Sequence, residues 1–383
     1  MQNPGFRNRW GRILEASGCL RAEEFFLRRK RLDTIPFLAA KPRVKYPAQH
    51  RVESGDLGGD YVVIGWTVNT VPRLEARLPL NLLNRHILIV GATGTGKSYT
   101  ASKIAWRVSL KNIPVIILDW HGEYGGLLAE GIRLNPFENP VEFLNPGDPR
   151  SDVEVISDVL GLTPPQEYLL WRIISEKGSR IEGVESLARA LETYYDDASW
   201  VRETRLSLHR KLKILASNPY SRLFSSNSRL LEEVAGAGKP VIVDLSLIGN
   251  VSVRRIYGTM LLARLVHRNY GLRKRYLILI EEAQNYLGRE NPVGFLARMM
   301  GEIRKNNIGF CVITQSPSLI VDQVLVNTNT KIIHSVKSNM DLEVVSRSLF
   351  LDQDTARILP YMDVGEALLF NPSLKKPVLI RVE

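Results

Sequence analysis

The chain has 383 residues, 44% of them apolar and 24% charged, which is the balance of a globular protein with core enough for one large or two to three ordinary domains. A formal net charge of +11 points to an anionic partner, either nucleic acid or an acidic membrane surface. The only two cysteines, Cys19 and Cys311, are far apart and lack metal-ligand spacing, which excludes a disulfide framework and a structural zinc site.

Residues 1–40 read as a basic helical segment. Residues 1–51 carry twelve Lys or Arg against four Asp or Glu, a balance of +8, densest at Arg28-Arg29-Lys30-Arg31. Such a run is either a solvated helix face or an arm that lies on phosphates. Met1 to Leu20 lacks a continuous apolar stretch, and no run in the chain approaches a membrane span, so a cytoplasmic protein is expected. Residues 41–84 change pattern. Tyr61–Trp66 and Arg73–Leu78 read as strands punctuated by Gly55, Gly58, Gly59 and Pro72, a small, reduced barrel-like β module.

From residue 85 the chain alternates strand and helix, the pattern of an α/β fold with a parallel sheet. Strands are expected at 86–90, 114–119, 240–245, 276–281, 309–314 and 331–336, with a closing hairpin at Glu366–Phe370 and Pro377–Val382. Residues 145–235 interrupt this series. Their helical periodicity at Glu167–Ser175, Glu185–Tyr195 and Val201–Ala216, with a helix start at Thr163-Pro164-Pro165, marks a helical insertion. The core is thereby divided into 85–144 and 236–383.

Within this core, Gly91-Ala92-Thr93-Gly94-Thr95-Gly96-Lys97-Ser98 fits G-x-x-x-x-G-K-[ST]. An apolar strand precedes it and a helical pattern opens at Tyr99. Glycines let successive backbone N–H groups curl around a phosphate, and the helix N-terminus adds its positive end. Lys97 is placed to reach the β- and γ-phosphates and Ser98 to hold Mg²⁺, with Tyr99 beside the nucleotide. Hydrolysis needs acid at a neighbouring strand end, and Tyr276–Ile280 runs into Glu281-Glu282. One carboxylate of such a pair orients the metal and the other polarises the attacking water. Glu281 is assigned to the metal and Glu282 to the base, with the order of the two roles open.

Gln315 follows the next strand, where an amide can touch the γ-phosphate or the water. Asp119-Trp120-His121-Gly122-Glu123-Tyr124 follows the second core strand. Its carboxylates fall at the ligand-binding edge of a parallel sheet, but its spacing makes a poor metal site. His86 reads as a structural hydrogen-bonding residue. Arg304 and Arg85 are the candidate arginines for the charge that develops on a transferring phosphoryl group. Arg85 precedes its strand and therefore faces away from its own loop, so it can serve only a neighbouring subunit.

Together these residues resemble the HerA branch of the HerA–FtsK ATPases. The resemblance rests on Arg85-His86, the loop 91–98, His121-Gly122-Glu123-Tyr124, the helical insertion, Glu281-Glu282-Ala283-Gln284-Asn285 and Ile313-Thr314-Gln315-Ser316-Pro317, and spans about residues 61–383. It implies a RecA-like core that hydrolyses ATP with Mg²⁺, assembles as a homo-hexamer and translocates along double-stranded DNA, paired with a NurA-type nuclease in DNA-end processing. It also implies that Arg85 acts on the adjacent subunit's ATP and Arg304 on its own. Two departures stand out. Only about forty residues are available where the family has a full β-barrel, and the family's EEAH ends in Gln284 here. The first leaves open a related motor for DNA transfer at a membrane channel or in mobile-element packaging. A slow nucleotide-dependent switch is the third reading.

Overall fold

The structure is a computed structural model. It describes residues 59–383 apart from 69, 145–148, 178–179, 226–237, 273 and 291. The basic run of residues 1–51 lies outside these residues.

Thirteen strands are found among the described residues: β1 (Tyr61–Thr67), β2 (Glu75–Pro79), β3 (Ile87–Val90), β4 (Val115–Asp119), β5 (Ile132–Leu134), β6 (Val141–Glu142), β7 (Phe224–Ser225), β8 (Val241–Asp244), β9 (Tyr276–Ile280), β10 (Ile308–Thr314), β11 (Thr330–Ile333), β12 (Glu366–Phe370) and β13 (Val378–Val382). Eleven of them form one sheet in the order β2-β1-β13-β12-β11-β3-β10-β9-β4-β8-β5. From β11 to β5 every neighbour is parallel, and from β11 to β2 every neighbour is antiparallel. β3, β4, β9 and β10 are buried along their whole length, as strands covered on both faces must be.

This order sets up the site. β10 lies between β3 and β9, and Val90 pairs with Thr314 while Ile280 pairs with both Val312 and Leu118. The carboxyl ends of β3, β10, β9 and β4 therefore share one rim. Residues that follow these strands arrive together although they are more than two hundred positions apart in the chain.

The first α-helix among the described residues, α1 (Lys97–Ser109), buries Ala101, Ile104, Ala105 and Val108 at helical spacing against this sheet. The inserted segment contributes α2 (Pro149–Leu160), α3 (Pro164–Lys177), α4 (Val184–Glu192) and α5 (Ser199–Lys213). Its two ends are joined by the short parallel pair β6–β7. A 22-residue helix, α6 (Val251–Leu272), returns the chain to β9. Among the described residues no helix is long and apolar enough to cross a membrane.

The strands at 61–67 and 75–79 are not a module apart. β1 pairs with β13, so the closing hairpin and these two strands extend the central sheet as one antiparallel wing. A strand pattern reveals which residues are extended but not what they pair with, and here the partner is the far end of the chain.

Candidate functional site

The loop after β3 is shaped by Gly94 (φ +76°) and Gly96 (φ +105°), a region that favours glycine. Gly91 is required for a different reason: a Cβ there would stand 2.6 Å from the Cβ of His334 and 2.7 Å from Thr95 Oγ1. The loop is braced from behind. Ala92 N–H donates to the Ser335 carbonyl (2.8 Å), and Gly365 N–H donates to the Thr95 carbonyl (3.1 Å). His334 is fully buried between Thr100 and the Glu366 carbonyl, each 2.9 Å away. Its Nδ1 faces a carbonyl and must carry the proton, leaving Nε2 to accept from the Thr100 hydroxyl.

Lys97 opens α1 with its Nζ folded back on the Ala92 carbonyl at 2.9 Å. Burial lowers its pKa, opposed by the charges of Glu282, Glu281 and Glu123. Those three carboxylates lie around the ammonium and define the acidic side of the site. Ser98 is half-buried in the first turn of α1, and Tyr99 beside it is 40% exposed with Lys103 Nζ over its ring at 5.0 Å.

Across the rim, Glu282 is buried and adopts φ +46°, a strained conformation for a residue with a side chain. Gln315 Nε2 donates to its Oε1, and Gln284 Nε2 donates to its Oε2. His121 Nε2 lies 3.4 Å from the same Oε1. Thr93 Oγ1, in the phosphate loop, donates to Gln315 Oε1 at 2.7 Å. A continuous path thus runs from the loop through Gln315 to Glu282.

Glu281 is engaged elsewhere. Its Oε2 accepts from the N–H groups of Trp120 (2.8 Å) and His121 (3.2 Å), and its carboxyl hydrogen-bonds to Asp119. Asp119 in turn accepts from the N–H groups of Gly122, Glu123 and Tyr124 at 2.8–3.1 Å. Burial and the charge of Asp119 push Glu281 up to about 8, so the pair shares a proton at neutral pH. Arg254 completes the turn, donating to the Trp120 carbonyl (2.9 Å) with its guanidinium 4.9 Å from the indole. In this arrangement the Glu281 carboxyl braces the 119–124 turn. Ser98 lies in the first turn of α1, beside the loop.

The arginines occupy the opposite rim. Arg85 ends the 3₁₀ turn Leu80–Arg85, and Arg304 lies in the 3₁₀ turn Ile303–Asn306 just before β10. Asn84 Nδ2 reaches the Arg304 carbonyl (3.4 Å), so the two turns touch. Between them His86 is buried, with Nδ1 accepting from Phe310 N–H (3.0 Å) and Nε2 donating to the Met300 carbonyl (2.9 Å). Burial, reinforced by the positive charge of Arg304, lowers His86 to about 4, which suits the expected structural role. The expectation that Arg304 serves its own nucleotide is corrected by the same geometry. β10 runs seven residues from this rim to the other, about 20 Å at strand rise. Neither guanidinium is held in an ion pair among the described residues.

The profile of the helicase HerA central domain matches residues 62–265. The chain belongs to the HerA helicase family. It is 25% identical over 336 residues to the DNA double-strand break repair helicase HerA of Saccharolobus solfataricus, covering 81% of this chain and 66% of that protein. With the HerA of Sulfolobus acidocaldarius it shares 25% identity over 376 residues, covering 91% of this chain and 74% of the relative. Among solved structures, VirB4 of Thermoanaerobacter pseudethanolicus superposes with a TM-score of 0.70 at 20% identity, covering 85% of this chain and 97% of the solved chain. The bacterial conjugative coupling protein TrwBΔN70 superposes at 0.59 and 15% identity, covering 80% of this chain and 86% of the solved chain. The core is the RecA-like P-loop fold expected from the sequence.

Two members of this HerA-type site were not singled out from the sequence. Gln284 and His121 entered as letters of the motifs that carry the resemblance, and His121 also in a poor metal spacing, but neither was given a role. Gln284 follows the same strand end as Glu282, and His121 follows β4, whose end the sheet order sets beside that of β9.

Proposed function

We propose that this chain is the ATP-hydrolysing subunit of a homo-hexameric ring that translocates along double-stranded DNA in DNA-end processing, the repair role named for its HerA relatives. The observation that carries the proposal is the path Thr93–Gln315–Glu282, which couples the phosphate loop to a buried carboxylate. A nucleotide-binding module without turnover has no need of it.

In the proposed cycle Lys97 leaves the Ala92 carbonyl for the β- and γ-phosphates, drawn by their charge. Glu282 orients the attacking water and takes its proton. Gln315, within reach of the loop, senses the γ-phosphate. The donor set suits Mg²⁺, which retains waters and binds phosphates with few protein ligands. Ser98 would hold it, and when bound it neutralises phosphate charge. Arg85 and Arg304 face a neighbour's site. A NurA-type nuclease is the partner that the HerA resemblance implies for such a role.

ATP hydrolysis measured with and without linear duplex DNA tests the reading. Duplex should stimulate the rate, Lys97→Ala should lose nucleotide binding and turnover, and Glu282→Gln should bind ATP yet turn over roughly 10²–10⁴ more slowly. A rate indifferent to duplex would point to a switch, and near-normal turnover by Glu282→Gln would place the base elsewhere.

A further inference from the structure

Glu282 is held by two amides, and their surroundings are unequal. Gln315 hangs between Glu282 and Thr93, whose hydroxyl sits in the exposed phosphate loop. Any γ-phosphate entering the loop competes for that hydroxyl and for the Gln315 amide. Gln284 is anchored inside the protein. Thr314 Oγ1, on a side chain only 1% exposed, accepts from Ser316 N–H (3.2 Å) and donates its own proton to Gln284 Oε1 (2.9 Å). The amide of Gln284 is thereby oriented with its nitrogen toward Glu282 Oε2. The backbone beside it is pinned as well, since Ala283 N–H donates to the Ile313 carbonyl at 2.9 Å.

With both oxygens accepting from amides, the carboxylate has no free, aimed lone pair for water. One amide must let go before Glu282 can act, and only Gln315 is connected to the nucleotide. Resting on the reading of Glu282 as the base, we infer that Gln284 is a positioning residue. It keeps Glu282 Oε2 fixed through the cycle, so that release of Oε1 by Gln315 presents a carboxylate already aimed at the water. The left-handed backbone of Glu282 makes such an anchor necessary, because a strained strand-end residue is held only by its surroundings.

What Gln284 contributes is one N–H donor, so turnover should follow donor capacity. Steady-state ATP hydrolysis of the full chain is the test. Gln284→Ala should lower kcat by at least about tenfold with KM changed less than about twofold, the pattern of an interaction made in turnover and not in binding. Gln284→Glu, which offers no donor while ionised, should fall at least as far. Gln284→His, which restores an N–H, should recover most of the rate. The increase in melting temperature on adding a non-hydrolysable ATP analogue should be the same in all three variants, which shows that the fold and the nucleotide site are intact. Wild-type kcat in Gln284→Ala and Gln284→Glu would overturn the inference. So would a loss of the analogue-induced shift together with kcat, since that would make Gln284 a structural residue. An inactive Glu282→Gln beside a fully active Gln284→Ala would overturn this inference alone and leave the wider reading intact.

Discussion

His86 and His334 are neutral in the folded chain, each lowered by burial from 6.5 to about 4. Glu281 is the opposite case, raised from 4.5 to about 8. As pH falls below 6.5 the unfolded chain takes up protons that the two folded imidazoles refuse. Their contribution is whole above pH 6.5 and lost progressively toward pH 4, by up to about 3 kcal/mol for each histidine. The contribution of protonated Glu281 is whole below pH 4.5 and lost as pH rises through about 8. Two histidines outweigh one carboxyl on the acid side, and only the carboxyl acts above 6.5. From these three groups, urea unfolding should show maximal stability near pH 6.5. Glu281→Gln should flatten the alkaline limb and leave the acid limb. An alkaline limb unchanged in Glu281→Gln would show that Glu281 does not carry that proton.

At the scale of elements, the inserted helices are tied to the core through Arg264 on α6. This buried guanidinium donates to the carbonyls of Glu142 (3.0 Å) and Phe143 (2.8 Å) and meets the buried Asp152 of α2 at 2.5 Å. Removing one partner leaves an uncompensated buried charge, so Arg264→Ala should cost about 3–5 kcal/mol in denaturant unfolding. A double replacement, Arg264→Met with Asp152→Leu, should recover most of that loss. Equal losses in the single and double variants would mean that Arg264 acts through its two carbonyls and not through the ion pair. None of this pairing was legible in the sequence, which showed the inserted helices near 167–175, 185–195 and 201–216 but not α2. Long periodic segments such as 201–216 and fully apolar runs such as 115–118 declare their structure locally. The strand at 132–134 and the two-residue pair β6–β7 are too short to show a period. The phosphate loop, the acid pair and Gln315 were legible because each follows a recognisable strand. Their meeting depends on sheet order, which only the fold reveals. Arg304 was readable and was misplaced. A residue immediately before a parallel strand belongs at the far rim, and the rule that placed Arg85 there applied to Arg304 as well.

At the scale of the molecule, two arginines on the rim away from their own loop bear on assembly. They lie on contiguous turns, joined through Asn84 and the Arg304 carbonyl, with neutral His86 buried between them. A nucleotide about 20 Å away at the other end of β10 cannot use them. If subunits stack in a ring so that this rim faces the next subunit's phosphate loop, both guanidinium groups reach one γ-phosphate together. Arg85→Ala and Arg304→Ala should then fold, bind ATP and assemble, yet hydrolyse slowly. A guanidinium supplied across an interface is worth on the order of 10³–10⁵ in rate in other nucleotide hydrolases. Lys97→Ala subunits are dead at their own site but keep both arginines. Mixed with either arginine variant, they should restore hydrolysis wherever a Lys97→Ala subunit presents its rim to an intact loop. Subunit exchange between tagged rings is verified first. The mixtures separate three outcomes. Rescue of both variants places both arginines in the neighbour's site. Rescue of Arg85→Ala alone would return Arg304 to its own subunit, against the position of its turn. Full activity of Arg85→Ala and Arg304→Ala on their own would leave both as surface residues and remove the main structural argument for a ring.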